Sequence, residues 1–237
     1  MNAWCSAVRK EESTAMDTSR SAEYFGYAGE VNTDRVIRAA LNRALELGIR
    51  SMVVASETGV SALKAARALN DSGVQLVVVT HFPAKVWGPR GDIPTGLMRE
   101  EYAARRHEIE SHGARIVLGT RPFAPPSRSL GWSLPTPEAI IDKSLEVFGP
   151  GTKIAIEAAI MATDAGAVSE GEEVVSCGGT LRGLDTALVV RAAYSMDFFR
   201  QFDVLELVAK PRCRVKTMPE FESPGWKGDL SQYYPSG

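Results

Sequence analysis

Six runs of apolar, β-branched residues punctuate this chain: SMVVAS at 51–56, VQLVVVT at 74–80, ARIVLGT at 114–120, EEVVSC at 172–177, TALVVRAA at 186–193 and DVLELVAK at 203–210. Strands that read as unbroken apolar runs, rather than alternating ones, are covered on both faces. Between most of them lie segments of helical period. Asn32 reads as the N-cap of a helix reaching Glu46 or Leu47, with Gly48 as its stop. A second helix spans 58–70, a charged one 97–111, and Thr136 with Pro137 opens another that runs to Phe148. GPG at 149–151 breaks that helix before an Ala-rich one over 152–165. Strands alternating with helices mean a single doubly wound, mostly parallel sheet with helices on both faces, expected over 23–212 and opened by a short edge strand in 23–29.

Composition narrows the function. With 237 residues, 44% of them apolar and 24% charged, the chain can build a substantial core. The formal net charge of −2 argues against a general nucleic-acid binder, which needs a basic field. No apolar run is long enough for a membrane span. Three scattered cysteines (Cys5, Cys177, Cys213) and an amino terminus without an apolar stretch point to a reducing, cytoplasmic setting. Residues 1–22 read as a flexible polar arm, and 213–237 as a tail whose Trp226, Tyr233 and Tyr234 suit a subunit contact, hence an expected homo-oligomer. The proline-rich loop at 121–135 is too long for a mere connector.

Ligands of open α/β sheets sit beyond the carboxyl ends of the strands. Three turns there carry polar groups. In VVAS-ETG-VSALKAA, Ser56, Thr58, Gly59, Val60 and Ser61 join a strand to a helix start. Free backbone N–H groups and hydroxyls at that start would cradle a phosphate, although an ordinary capped helix explains the same residues. The turn lacks the lysine of a Walker loop and the spacing of a dinucleotide fingerprint. In SCGGTLRGLDTA, Gly178, Gly179 and Thr180 would let a ligand approach backbone, with Arg182 and Asp185 as a charge pair and Thr186 beside them; a tight turn with a surface ion pair is the alternative. Thr80 and His81 end the 74–80 strand, where His81 is either a ligand contact or a loop anchor. His107 and His112 are five apart on a helix, so their rings diverge by roughly 140° and do not form a zinc motif. Glu157 has two readings, an ion pair with Lys153 one turn earlier or a buried carboxylate facing the cleft.

The stretch VVASETGVSALKAARAL resembles the effector loop and following helix of the pyruvate kinase C-terminal domain. From about Tyr24 to Arg212 the chain is similar to stand-alone pyruvate-kinase-C-terminal-like α/β proteins, through LGIRSMVVASETG, VVVTH, VFGPGTKIAIEAAIMATDAG, EEVVSCGGTLRGLDTALVV and VLELVAKPR. The resemblance implies a phosphate-bearing ligand at the sheet's carboxyl edge and flavin mononucleotide (FMN) as that ligand, with flavin-dependent redox chemistry as an extension. It does not imply pyruvate kinase activity, which needs a (β/α)₈ barrel of about 250 residues. The alternative is a regulatory module that senses a phosphorylated metabolite. The Pro-rich loop, the arm and the aromatic tail depart from the family pattern.

Overall fold

The computed structural model describes residues 19–82, 95–123 and 135–213. The arm up to residue 18, the tail beyond 213 and most of the 121–135 loop lie outside the described residues, and with them the expected tail-mediated subunit contact.

Seven strands form one sheet in the order β1-β7-β6-β5-β2-β3-β4. They are β1 (Glu23–Phe25), β2 (Ser51–Ala55), β3 (Gln75–Thr80), β4 (Arg115–Leu118), β5 (Glu173–Gly178), β6 (Thr186–Arg191) and β7 (Asp203–Pro211). All run parallel except β6, which is antiparallel to both neighbours. The turn between β5 and β6 is too short for a crossover helix, so these strands can only pair as a hairpin.

Helices α1 (Thr33–Leu47), α2 (Val60–Leu69) and α3 (Ala103–Ser111) cover one face, where Val36, Ala65 and Ile109 pack with Met52 and Val54 of β2. Helices α4 (Pro137–Glu146), α5 (Pro150–Asp164) and the short α6 (Phe198–Gln201) cover the other, where Ala155 and Ile160 meet Val53 and Val77. β2 therefore sends alternate side chains into two cores and is buried at four of its five positions. Among the described residues no helix is long and apolar enough to cross a membrane.

Local signals explain most boundaries. Gly48 ends α1 in the left-handed conformation at φ 67°, its N–H closing on Leu45. Thr136 caps α4 through Ala139, with Pro137 at the first turn. Two expectations need correction. Asn32 does precede α1, but its amide turns back to donate to Tyr27 and Gly29 rather than capping the helix. The charged helix begins only at Ala103, because the Leu97 N–H is held by Thr80 Oγ1 and a single 3₁₀ turn at 100–102 follows.

Candidate functional site

From β2 the chain winds outward through β3 to β4, then returns across the sheet to place β5 on β2's other side. Such a reversal leaves a crevice at the carboxyl ends of the two strands. A cleft opens there, enclosing about 1090 Å³ with the solvent at its mouth included. The turn after β2, the end of β3, the turn after β5 and one face of α5 supply its walls.

Of the residues expected from sequence, Ser56, Thr58, Val60, Ser61, Thr80, His81, Gly179 and Arg182 line this cleft. The start of α2 is open to it. The Ala62 N–H donates to Ser56 Oγ at 3.4 Å and the Leu63 N–H to the Gly59 carbonyl, which leaves the N–H groups of Val60 and Ser61 as the helix's orphan donors among the described residues. Lys64, one turn on, lines the same cleft and pairs with Asp34 at 2.9 Å, both ends solvent-exposed. Gly59 stands behind this wall. Its φ is 79°, and a Cβ there would lie 2.7 Å from Leu97 Cδ1 and 2.8 Å from Arg105 Cδ. It therefore serves the turn and the packing of α3.

His81 is held by Glu57 through Nδ1. The same carboxylate accepts the Gly96 N–H at 3.1 Å, tying the end of β3 to residues 95–97. His81 is thus both a cleft residue and an anchored one, its ring oriented by a carboxylate.

The other expected residues lie beneath the cleft, outside its lining. Asp185 is fully buried and accepts from the Gly29 N–H (2.7 Å), the Thr180 N–H (3.0 Å) and the Thr186 hydroxyl (2.8 Å). Burial pushes its carboxyl above the ordinary range, and those hydrogen bonds offset part of the push. The expected Arg182–Asp185 pair is not formed; Arg182 faces Glu30 at 3.6 Å instead. At Gly178 the approaching backbone belongs to α5. A Cβ would lie 2.4 Å from the Gly151 carbonyl oxygen and 2.6 Å from the Ala155 nitrogen.

The far wall holds Glu157, 1% exposed and so in keeping with its second reading as a buried carboxylate at the cleft, within a charge cluster that sequence reading missed. Arg121, only 7% exposed, donates through Nε to Glu157 Oε2 at 2.7 Å and through Nη2 to Asp142 Oδ1 at 3.0 Å. Lys153 donates to Asp142 at 3.2 Å and also binds Glu146, whose other oxygen takes Lys143 at 2.9 Å. The expected Lys153–Glu157 pair yields to these partners, because α4 brings its own carboxylates against α5 while Arg121 arrives from the end of β4. Burial alone would lower the Arg121 pKa; Glu157 and Asp142 outweigh it and hold the guanidinium above its usual value. At Glu146 burial opposes ionisation, yet Lys153 and Lys143 win and its carboxyl sits below the ordinary glutamate range.

A depressed carboxyl contributes stability above its unfolded pKa and loses it as pH falls through the lower folded value. Glu146→Gln is therefore expected to be less stable than the parent at neutral pH. The gap should narrow as pH falls below about 4.3, read from urea unfolding at a series of pH values. A gap independent of pH would contradict the assignment.

His107 and His112 are exposed on and just after α3. Asp164 accepts the Ser195 N–H at 2.9 Å near the far end of α5.

Comparison with known proteins supports the fold reading. A model of the family "Pyruvate kinase, alpha/beta domain" matches residues 34–190, which run from the first turn of α1 to the last residues of β6 and include both turns of the cleft. Among solved structures, a pyruvate kinase from Cryptosporidium parvum is similar at 13% identity and a TM-score of 0.35, over 68% of this chain and 23% of that one. An O-ureido-L-serine synthase is similar at 18% identity and a TM-score of 0.26, over 51% of this chain and 30% of the other. The chain thus spans less than a third of either solved protein's length. The family match covers well over half of the sequence and the sheet that carries the cleft, and by it the chain belongs to the pyruvate kinase alpha/beta domain family.

Proposed function

We propose that this protein binds a phosphate-bearing small molecule in the cleft, with FMN as the ligand and flavin-dependent redox chemistry as its use. The reading rests on one observation. The start of α2, with two orphan N–H groups, the hydroxyls of Ser56, Thr58 and Ser61 and the ammonium of Lys64, opens onto a ligand-sized crevice at the switch point of the sheet. Helix starts attract anions because their free N–H groups and the helix dipole act together. The phosphate belongs there, and the ring lies toward the 179–183 turn and α5. Bound flavin would supply the electron chemistry, while the chain's part is position and electrostatics.

Titration of the purified protein with FMN and with riboflavin, followed by flavin fluorescence, tests this. FMN is expected to bind more tightly than riboflavin. Lys64→Met should weaken FMN about tenfold, the scale of one hydrogen bond to a charged group, and leave riboflavin unchanged. Equal affinity for the two flavins would remove the phosphate site. Thermal stabilisation by sugar phosphates with no response to flavin would favour the regulatory reading.

A further inference from the structure

Behind the turn between β2 and α2 stands an arginine that does not line the cleft. Arg105 of α3 is half-buried and donates through Nη1 to the Thr58 carbonyl. Its methylene stem lies against Gly59, where an added Cβ would be 2.8 Å from Cδ and 3.2 Å from Cγ. Its guanidinium carbon stands 5.7 Å from the centre of the Tyr102 ring. Among the described residues Arg105 forms no ion pair, so its charge is spent on a neutral carbonyl. Glu57, the carboxylate of the turn, is held by His81 and the Gly96 N–H. A half-buried cation beside the positive end of a helix, with no carboxylate paired to it, raises the potential at the turn in a way that an anion would relieve.

The peptide plane gives this contact a direction. In a trans peptide the carbonyl and the N–H that follows it point opposite ways. With the Thr58 carbonyl drawn toward α3, the Gly59 N–H points away from α3, to the side on which Thr58, Val60 and Ser61 line the cleft. Among the described residues no hydrogen bond uses the N–H of Gly59, Val60 or Ser61. Successive free N–H groups around a glycine in the left-handed conformation make a concavity of the kind that holds anions. The Ser61 side chain is an independent sign of a ligand. It is 6% exposed and lines the cleft, yet its hydroxyl makes no hydrogen bond among the described residues. That hydroxyl is not one of the unpartnered polar atoms sealed from solvent, so it opens on the cleft. Resting on the phosphate reading above, we propose that Arg105 is a positioning residue for the bound anion. It does not touch the ligand. By holding the Thr58 carbonyl it aims the Gly59 N–H at the phosphate, beside the N–H groups of Val60 and Ser61 and the Ser61 hydroxyl. Glycine tolerates either orientation of that peptide, so without the anchor the Thr58 carbonyl can swing to the cleft and repel the anion.

The test titrates FMN and riboflavin against the parent, Arg105→Met and Arg105→Lys, with flavin fluorescence as the readout. Methionine keeps an apolar stem against Gly59 and loses the donor, whereas lysine keeps a charged donor on a stem of similar reach. Arg105→Met is expected to weaken FMN about tenfold, the scale of one hydrogen bond to a charged group, and to leave riboflavin unchanged. Arg105→Lys should recover most of that loss. In protein carrying isotope-labelled glycine, saturating FMN should move the Gly59 amide proton downfield in the parent and in Arg105→Lys, but not in Arg105→Met. Should Arg105→Met not fold, Arg105→Ala carries the same comparison. An unchanged preference for FMN in Arg105→Met, equal weakening of both flavins, or a Gly59 amide that stays in place when the parent binds FMN overturns the role of Arg105 and leaves the phosphate site standing. Equal binding of FMN and riboflavin by the parent overturns both.

Discussion

Arg121→Met is expected to lower the unfolding free energy by about 3–5 kcal/mol, the range found when one partner of a buried ion pair is removed. Arg121 bridges two carboxylates that are each 1% exposed. Without it Asp142 keeps Lys153, but Glu157 keeps no cation among the described residues. A stranded buried charge, rather than a lost attraction, dominates the cost. The double variant Arg121→Met with Glu157→Gln should therefore recover part of the loss, because it removes the stranded charge as well. Urea unfolding of the two variants and the parent measures this. An Arg121→Met protein as stable as the parent would show that the cluster is hydrated in solution.

Gly178→Ala should cost about 3 kcal/mol, at the upper end of ordinary overpacking. The new methyl would meet backbone atoms in the first two turns of α5, at Gly151 and Ala155, at 2.4 and 2.6 Å, and backbone cannot step aside as a flexible side chain can. α5 must lift from β5, and the loss should be read directly in urea unfolding. Gly26→Ala is the control, since nothing lies within 4 Å of its added methyl, and it should stay within about 0.5 kcal/mol of the parent. Parent-like stability in Gly178→Ala would mean that α5 is not packed on β5 as closely as described.

Most of the fold was legible along the chain because its signals are local. Unbroken apolar runs marked β2, β3, β5 and β6, Thr136 with Pro137 marked the start of α4, and Gly48 marked the end of α1. The polar turn at 56–61, which lines the cleft, was legible for the same reason, since a strand, a turn and a helix start follow one another within a few residues. The glycines misled where their neighbour was remote. Gly178 read as room for a ligand, but the backbone it admits comes from Gly151 and Ala155. Asp185 read as a partner for Arg182 three residues away, yet it binds the N–H of Gly29, 156 positions distant.

The far wall shows where sequence reasoning stops. Helical spacing correctly puts Lys153 one turn from Glu157, and an isolated helix would pair them. In the folded protein, α4 packs on α5 and offers Asp142 and Glu146 to Lys153, while the chain leaving β4 offers Arg121 to Glu157. Local pattern determined which segments became strands and helices and where the polar turn at the cleft lies. Tertiary packing alone decided which buried charges met, because the choice among ion partners depends on distances that only the assembled layers set.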